Sequence, residues 1–372
     1  MTFIYKKLIK LFYFVLLTIS DIIKPGVDMK NIYGITKTKL ENYFIEIGEK
    51  KFKATQVFEW LYKKKVKSFD EMVNIKKETI ERLKEDFTFE QLKIVDMKKG
   101  KDVAKFLFAL NDFEHVEAVL MMHDYGKSLC VSTQVGCNMG CAFCESGRRK
   151  KVRNLKTEEM VNQFLQIEEK LNIRISHVVL MGIGEPFDNY DNVIDFIDIL
   201  NTGKGIDLGA RHITVSTSGI VPKIKEFMEQ EKQVNLAISL HAPNNEIRNK
   251  IMPINKAYPL EELIPTLKEY IKKTNRRLTF EYILLKDVND SKECALELAE
   301  LIKGMNAYVN LIPYNETSHI EYKKSEPNKI TEFFETLKEK KIQVTIRREF
   351  GSEVEAACGQ LRSKYEEENN GN

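Results

Sequence analysis

The sequence predicts an α/β fold: a partial (βα) barrel of the TIM type, preceded by a small helical domain and a β-hairpin. Short apolar runs alternate with helical patterns through most of the chain after residue 123, and this order is typical of a parallel sheet covered by helices. The distinctive polar and glycine-rich motifs come directly after these runs, where barrel enzymes build their sites. An open, doubly wound sheet is the alternative arrangement of the same elements.

The composition of the chain limits its class. Of 372 residues, 43% are hydrophobic and 30% are charged, which is typical of a globular protein with one large domain and an appendage, or with two domains. The formal net charge is only +3, so an affinity for nucleic acid has to come from local clusters of basic residues. The six cysteines lie in a long chain without a convincing secretion signal, which favours metal-binding or catalytic thiols in a reducing cytoplasm.

Residues 1–28 form an extension that we expect either to be dispensable or to result from an incorrect start codon, because Met29 begins an ordinary globular sequence. Lysines precede an apolar run at 11–19, as in a signal peptide, but no cleavage site of small residues follows. The run is also too short to cross a bilayer. An amphipathic arm is the other interpretation.

Residues 29–90 are predicted to form a helical, basic domain that contacts RNA. Apolar residues recur at helical spacing around Trp60, the only tryptophan, and seven lysines lie between residues 50 and 67. Lysines on a helix can contact phosphates, but most runs of charge are simply a solvated face. The sequence leaves both interpretations open.

Residues 91–122 are predicted to be a β-hairpin that links this domain to the barrel. Apolar residues alternate in two runs, 106–110 and 116–120, on either side of a turn at Asn111 and Asp112. Asn-Asp is a weaker turn signal than Asn-Gly, so the sequence does not fix the register of the hairpin.

Residues 123–365 are predicted to form the barrel, and residues 366–372 a disordered tail. One strand precedes a group of cysteines, and Thr157 is the predicted N-cap of the helix that follows. With this first strand the apolar runs give seven candidate strands, enough for a full or a partial barrel. The later runs lie at 176–181, 211–216, 234–240, 278–285, 307–312 and 342–347.

Cys137, Cys141 and Cys144 lie close together in the segment CVSTQVGCNMGCAFC, which begins at Cys130. Three thiolates on one loop can bind one face of an iron–sulfur cluster or a single metal ion. A structural zinc site needs four ligands, usually from two pairs, and the sequence shows no second pair. Buried core cysteines are the other alternative, but the glycine and asparagine between the thiols make a poor core segment. The spacing favours a cluster.

Small polar residues follow several of the other predicted strands. Gly184 and Glu185 follow the second strand and could offer backbone groups and a carboxylate to an ammonium group. Ser216, Ser239 and Asn315 follow later strands and could hydrogen-bond a ribose or a carboxylate. Each of these residues alone is more often a turn or cap residue, and only their recurrence at successive strand ends points to a binding site.

The cysteine spacing resembles the signature of the radical S-adenosylmethionine (SAM) enzymes. The resemblance implies that the cysteines bind a 4Fe–4S cluster with one open iron, which holds the amino and carboxylate groups of SAM. One electron from the cluster then cleaves SAM to a 5′-deoxyadenosyl radical. The resemblance also implies a SAM site formed by Gly184, Glu185, Ser216, Ser239, Leu240, His241 and Asn315.

Over residues 29–365 the chain is similar to the RlmN family, the dual-specificity radical SAM methyltransferases of ribosomal and transfer RNA. The cysteine motif alone would fit any radical SAM enzyme, whereas the full set of matching segments is far more specific. These segments are KATQVFEWLYKK, CVSTQVGCNMGCAFC, VRNLKTEEMVNQ, GIGEPFDNYDNV, ITVSTSGIVPKI, LAISLHAPNNEIRNKIMPIN, VNLIPYN and EAACGQLR.

This resemblance implies methylation at C2 of an adenine in the peptidyl-transferase centre of 23S rRNA, and of an adenine in some tRNAs, with two SAM molecules used per turnover. Cys358 matches the family cysteine that receives a methyl group, and Cys130 matches the cysteine that resolves the RNA–protein adduct through a transient disulfide with Cys358. Glu117 matches a proton acceptor; without the resemblance it is an exposed glutamate on a strand. Cys294 has no counterpart in these roles.

We further expect a cytoplasmic monomer with no stable membrane partner, which takes electrons from a flavodoxin or a ferredoxin, the usual donors for such clusters. Two segments depart from the family pattern: the basic loop at 148–153 and the charged region at 316–328. The first bears on the geometry around the cluster, and the second bears on the choice of RNA.

Three other functions are the alternatives. A Cfr-type enzyme would methylate C8 of the same rRNA adenine, but Glu185-Pro186 and His241-Ala242-Pro243 are typical of RlmN. A radical SAM enzyme with a small-molecule substrate would leave Cys130 and Cys358 unexplained. A zinc-stabilised RNA-binding protein would leave the barrel pattern unused, and it would not cleave SAM.

Overall fold

The computed structural model describes residues 29–148, 150–317 and 319–347. The extension at 1–28, the tail at 366–372 and the predicted catalytic Cys358 lie outside the described residues. Within the described ranges, every helix is too short or too polar to span a bilayer.

A ten-stranded sheet organises the molecule. In chain order the strands are β1 (Lys30–Asn31), β2 (Phe87–Thr88), β3 (Lys93–Lys99), β4 (Val103–Ala109), β5 (His115–His123), β6 (Gly126–Cys130), β7 (Gln134–Val135), β8 (Arg153–Asn154), β9 (His177–Leu180), β10 (Ile213–Thr217), β11 (Asn235–Ser239), β12 (Leu278–Leu284), β13 (Ala307–Pro313) and β14 (Gln343–Ile346). The order in the large sheet is β14-β13-β12-β11-β10-β9-β6-β5-β4-β3, so β14 and β3 are its edges and the barrel is open.

The strands from β6 and β9 to β14 pair in parallel, and β3 to β6 pair in antiparallel fashion. Parallel neighbours need long crossovers, and helices supply most of them here. In chain order the α-helices are α1 (Lys37–Glu46), α2 (Phe52–Phe58), α3 (Lys77–Asp86), α4 (Thr157–Leu171), α5 (Tyr190–Asn201), α6 (Val221–Met228), α7 (Asn245–Ile251), α8 (Leu260–Thr274), α9 (Lys292–Leu301) and α10 (Pro327–Glu339).

The N-terminal helices α1, α2 and α3 share one apolar core with the large sheet and the helices that cover it. Phe44, Phe58 and Leu83 are fully buried, and they belong to the same apolar cluster as the side chains of the parallel strands. Helix α2 continues into a π-helical segment at Glu59–Lys64. This segment ends at Lys65, which adopts a left-handed conformation and so closes the helix.

The predicted order of strands is confirmed. Each of the six later apolar runs contains one parallel strand, and the first strand is β6. The hairpin is also confirmed, because β4 and β5 pair antiparallel, but it belongs to the large sheet through the pairing of β5 with β6. The large sheet therefore runs without a break from the hairpin into the barrel.

The predicted N-cap of α4 is wrong by one residue. Lys156 is the N-cap, with extended backbone angles, and Thr157 is the first residue of the helix. The carboxylate of Glu159 accepts a hydrogen bond from the backbone N–H of Lys156 at 2.7 Å. A glutamate at this third helical position satisfies the amide of the N-cap residue, as in a capping box.

Candidate active site

The cysteine loop (residues 136–144) lies beyond the carboxyl end of β6 and rests on the end of α7. The backbone N–H of Ala142 donates to the carbonyl oxygen of Ile251 at 2.9 Å. The ring of Phe143 meets the ring of His241 edge-on, with 5.0 Å between the centroids. These contacts place the predicted cluster ligands beside the residues that follow β11.

The thiols of Cys137, Cys141 and Cys144 are free and half-buried. Burial raises the pKa of all three, that of Cys137 to about 12, and the neighbouring thiols add to the rise at Cys137 and Cys141. The three sulfurs therefore lie close together in a site that disfavours bare thiolates. An iron–sulfur cluster supplies a positive partner to each thiolate, so the donor set fits this group.

In a cubane cluster each thiolate binds a different iron, and three thiolates leave the fourth iron open. A structural zinc site needs four ligands on one ion. Among the described residues, no group of three or more His, Cys, Asp or Glu side chains is arranged to hold a single metal ion.

Glu185 lies in the loop after β9 and is buried. Its Oε1 accepts from the backbone N–H of Phe187 at 3.0 Å, and its Oε2 accepts from the backbone N–H of Ser218 at 2.7 Å. Burial raises the pKa of this carboxyl, and the two N–H donors oppose the rise. Each carboxylate oxygen has a second acceptor site, so Glu185 can also accept from an ammonium group.

Gly184 is required by a close approach of two loops. Its φ is +108°, and a Cβ there would lie 2.6 Å from the side chain of Gln134 and 2.8 Å from the backbone nitrogen of that residue. The side chain of Gln134 in turn accepts from the backbone N–H of Glu185 at 2.9 Å. A residue other than glycine would separate the two loops.

Ser216 and Ser239 lie at the carboxyl ends of the neighbouring strands β10 and β11, and their hydroxyl oxygens are 3.3 Å apart. Leu240 and His241 follow directly and are both buried. Nδ1 of His241 accepts from the backbone N–H of Ile283 at 3.1 Å, which places the proton of the neutral ring on Nε2. Burial lowers the pKa of His241 to about 3, so the ring is neutral at physiological pH.

Asn315 lies just beyond β13 at the same edge of the sheet, and its side chain is exposed. The pKa of the preceding residue, Tyr314, is raised to about 12. Burial is the main cause, and the nearby Cys144 thiol contributes less. The predicted SAM residues thus lie along the carboxyl edge, around the cysteine loop, as the sequence indicates.

Glu117 and Cys130 lie on the neighbouring strands β5 and β6. The side chain of Glu117 is buried, so its interpretation as an exposed strand residue is wrong, and its Oε2 is 3.5 Å from Nζ of the buried Lys105. Lys105 and Cys130 both pair with Val119, and Glu117 lies two residues before Val119 on β5. The side chains of Lys105, Glu117 and Cys130 therefore share the inner face of the sheet. Burial raises the pKa of Cys130 to about 11.

A cavity of about 1090 Å³ lies on this inner face and opens at the amino ends of the strands. Met181, Glu281 and Arg347 line its inner part, and Arg276 and Arg277 stand at its mouth. Proteins commonly bind nucleotide-sized ligands in pockets of such volume. The chain runs on from Arg347 towards Cys358.

Arg248, in α7, belongs to the site although it was not among the predicted residues. It is fully buried, and its guanidinium donates to the carbonyl oxygens of Ser218 and Leu240 at 2.6 and 3.2 Å. Burial lowers the pKa of Arg248 to about 10, and the Cys141 thiol opposes this shift. Nothing in the sequence distinguishes Arg248, because a charged residue in a polar helix is normally exposed.

Carboxylates neutralise much of the predicted basic surface. In the loop at 148–153, Arg148 pairs with Glu145 at 2.9 Å, and Lys151 pairs with Asp188 at 2.7 Å. RNA contact by the N-terminal helices and by this loop therefore stays a prediction. In the helical domain, four of the seven lysines between residues 50 and 67 form ion pairs, which are Lys51–Glu41, Lys53–Glu49, Lys65–Glu168 and Lys67–Glu169.

Comparison with known families gives matches over two parts of the chain. Residues 30–88 match the family described as "Ribosomal RNA large subunit methyltransferase N-terminal domain". Residues 131–301 match the "Radical SAM superfamily". The first match covers the N-terminal helices, and the second covers the cysteine loop and the strands from β7 to β12.

Named relatives match nearly the whole chain. A "Probable dual-specificity RNA methyltransferase RlmN" of Spiroplasma citri is 56% identical over 342 residues, which are 91% of this chain and 99% of the relative. The protein of the same name from Acholeplasma laidlawii is 53% identical over 334 residues, which are 90% of this chain and 99% of the relative. A crystal structure of a radical SAM methyltransferase from Sphaerobacter thermophilus superposes with a TM-score of 0.82 at 37% identity and covers 89% of this chain and 98% of that one.

Proposed function

The chain belongs to the RlmN family of dual-specificity RNA methyltransferases, and from this membership we propose that it methylates C2 of an adenine in 23S rRNA and of an adenine in some tRNAs. One structural observation carries the proposal: three free thiols on one loop lie beside the carboxyl ends of a parallel sheet. That arrangement suits a cluster that works next to a bound cofactor.

When bound, the 4Fe–4S cluster and two SAM molecules per turnover supply the electron and the methyl group for an aromatic carbon that ordinary methyl transfer cannot reach. Cys137, Cys141 and Cys144 hold the cluster. The carboxylate of Glu185 accepts from the amino group of SAM and keeps its bonds to the backbone N–H groups of Phe187 and Ser218.

The remaining SAM contacts come from the ends of β10, β11 and β13. The hydroxyls of Ser216 and Ser239 are close enough to bind one polar group together. Neutral His241, following Leu240, can donate from Nε2, and the exposed amide of Asn315 can close the outer side. Gly184 lets its loop approach β7 closely, which keeps Glu185 in place.

Two further thiols carry the covalent chemistry in this proposal. The Cys358 thiolate displaces S-adenosylhomocysteine from one SAM and so receives its methyl group. The 5′-deoxyadenosyl radical from the second SAM takes a hydrogen atom from this methyl group, and the remaining CH2 carbon bonds to C2 of the adenine. The adduct then loses the C2 proton to Glu117 and gives back the single electron that cleaved SAM, which leaves a thioether between the RNA and Cys358. The ion pair of Glu117 with Lys105 holds the carboxylate on the inner face. The Cys130 thiolate then attacks the sulfur of Cys358: a disulfide forms, the carbon–sulfur bond breaks, and the electron pair left on carbon takes a proton to give the methyl group.

The same proposal covers the partners and location of the protein. RNA is the substrate, and the electron comes from a flavodoxin or a ferredoxin. We place the protein in the cytoplasm as a monomer without a stable membrane partner. Methylation at C8 has no observation in its favour, since the Glu185-Pro186 and His241-Ala242-Pro243 segments follow the RlmN pattern.

Trapping the adduct tests the proposal. Protein with Cys130→Ala, loaded with iron and sulfide without oxygen, is expected to accumulate a covalent link between Cys358 and unmodified 23S rRNA in the presence of SAM and a reductant. Protein with both Cys130→Ala and Cys358→Ala should form no adduct. Cys294→Ala is the matched control, because this thiol lies on α9 and is buried in the apolar core of the protein. The Cys294→Ala protein should turn over like the wild type. An adduct that persists without Cys358 would contradict the proposed role of this residue.

A further inference from the structure

Arg248 is a buried cation whose partners are all neutral. Its guanidinium donates to the carbonyl oxygens of Ser218, Leu240 and Ser239 at 2.6, 3.2 and 3.5 Å, and to the amide oxygen of Asn255 at 2.8 Å. Among the described residues, no carboxylate forms an ion pair with it. Hydrogen bonds to neutral oxygens satisfy the donors but do not cancel the charge, and an uncompensated buried charge is costly.

The cysteine loop is the anionic partner that this charge lacks. The backbone N–H of Ala142 donates to the carbonyl oxygen of Ile251, which lies one helical turn after Arg248. Cys141 is the residue before Ala142, and the Arg248 guanidinium is near enough to act on its thiol. Once Cys141 is bound as a thiolate, the fixed cation therefore lies next to one of the three cluster ligands.

We propose that Arg248 acts on the iron–sulfur cluster as a fixed positive charge, which strengthens binding of the thiolate-ligated cluster and shifts its one-electron equilibrium towards the reduced form. The electron comes from a low-potential donor outside the chain, and its arrival makes the cluster more negative without forming or breaking a covalent bond. A nearby cation stabilises the more negative state further, because the attraction grows with the charge. The inference rests on the proposed binding of the cluster by Cys137, Cys141 and Cys144.

A purely structural role is the competing explanation. The guanidinium joins the chain after β10 to the chain after β11, since it binds Ser218 on one side and Leu240 on the other. If this link were its whole function, removing the charge while keeping the hydrogen bonds would leave the cluster unchanged. The two roles therefore separate when charge and hydrogen bonding are altered independently.

Asn255→Asp adds a negative charge beside the guanidinium and keeps every acceptor of Arg248, while it removes the two hydrogen bonds that the Asn255 amide donates to Oδ1 of Asn245 and of Asn249 at 2.9 Å. The new carboxylate keeps an acceptor oxygen 2.8 Å from Nη1 of Arg248 and neutralises the guanidinium in place. Arg248→Gln removes the charge together with most hydrogen bonds, and Arg248→Lys keeps the charge while losing the planar fork. Arg276→Gln is the matched control, because Arg276 also donates to two backbone carbonyls but stands at the opposite, amino end of the strands.

The experiment is a redox titration of the reconstituted proteins with dithionite, followed by electron paramagnetic resonance, after iron and sulfide have been quantified. At a fixed solution potential, Asn255→Asp and Arg248→Gln are expected to lower the ratio of reduced to oxidised cluster at least tenfold, which is 59 mV for a one-electron couple. Arg248→Lys should stay within about threefold of the wild type, and Arg276→Gln within about twofold.

Each outcome decides for or against the inference. A fully loaded Asn255→Asp protein whose ratio stays within twofold of the wild type overturns it, even if Arg248→Gln does not fold. Folded Asn255→Asp protein could also lose its cluster. This loss supports the inference about the Arg248 charge if the Arg248→Lys protein retains its cluster, and it opposes the inference if the Arg248→Lys protein loses its cluster as well. Wild-type protein that binds no iron and sulfide would instead refute the proposed function.

Discussion

Nζ of Lys105 lies 3.5 Å from Oε2 of Glu117, and both side chains are closed off from water on the inner face of the sheet. The two residues belong to the adjacent antiparallel strands β4 and β5. Water cannot replace either partner at this position, so the loss of one charge is costly for the other. The predicted proton acceptor is thus held by an ion pair that the sequence did not reveal.

Removing one partner of this ion pair should strongly destabilise the protein. We expect Lys105→Met to lower the free energy of unfolding by about 3–5 kcal/mol, because it takes the paired cation away from a buried carboxylate. Adding Glu117→Gln should recover much of the loss, since the carboxylate that Lys105 paired with is then replaced by a neutral amide, although this double variant should not methylate RNA. Urea unfolding of the two single variants and the double variant measures the coupling.

The exposed pair of Lys303 and Glu300 provides the control for this prediction. Both side chains are more than two thirds exposed, and Lys303→Met should change stability by no more than about 1 kcal/mol. Equal losses for Lys105→Met and Lys303→Met would show that burial does not set the strength of the Lys105–Glu117 pair.

Two glycines with positive φ should respond differently to the same substitution. Gly184→Ala places a Cβ 2.6 Å from the side chain of Gln134, whereas Gly48→Ala places its Cβ where no atom lies within 4 Å. Both variants bear backbone strain of about 1–3 kcal/mol. Only Gly184→Ala should move the Glu185 loop and weaken SAM binding, by at least about tenfold.

Equilibrium dialysis of labelled SAM against the loaded proteins measures this difference. Thermal unfolding of both variants gives the strain that they share. Equal SAM affinity in Gly184→Ala and Gly48→Ala protein would mean that the contact between the loops at Gly184 and Gln134 does not position the cofactor.

The buried His241 should make stability depend on pH. Burial lowers its pKa from 6.5 to about 3 in the folded protein, so the unfolded chain binds the proton more readily. The neutral His241 ring therefore makes its full contribution to the free energy of unfolding above pH 6.5, and this contribution is lost as the pH falls from there towards 3. Between pH 7 and pH 5 the loss amounts to about 2 kcal/mol.

Unfolding of wild-type and His241→Gln protein at pH 7 and pH 5 isolates this contribution. The variant lacks the titrating ring. Between pH 7 and pH 5 its free energy of unfolding should therefore fall by about 2 kcal/mol less than that of the wild type. Parallel losses in the two proteins would show that His241 takes up its proton at an ordinary pKa in the folded state.

The order of elements could be predicted from the sequence because each strand is a short apolar run and its ligand residues follow directly. Periodicity places Ser216 and Ser239 at strand ends without knowledge of their partners. The cysteine spacing identifies the donors Cys137, Cys141 and Cys144 in the same local way. The site residues that could be predicted are therefore those whose role depends on nearby sequence.

The rest depends on contacts between distant segments. Glu117 looks exposed because its neighbours alternate, but Lys105 on the adjacent strand and the strands beyond it bury both side chains. Arg248 lies in a polar helix, and its burial depends on distant segments, because its guanidinium binds the chain after β10 and the chain after β11. The lysines of the helical domain look like a phosphate-binding face until the carboxylates of α4 pair with Lys65 and Lys67.

The most direct test of the account is the position of the new methyl group. Protein prepared without oxygen and loaded with iron and sulfide would be incubated with SAM, a reductant and unmodified 23S rRNA, and the digested RNA would be analysed by mass spectrometry against standards. We expect 2-methyladenosine, which should be absent with Cys358→Ala and retained with Cys294→Ala. Formation of 8-methyladenosine, or an RNA without any methyladenosine despite SAM cleavage by the loaded protein, would contradict it.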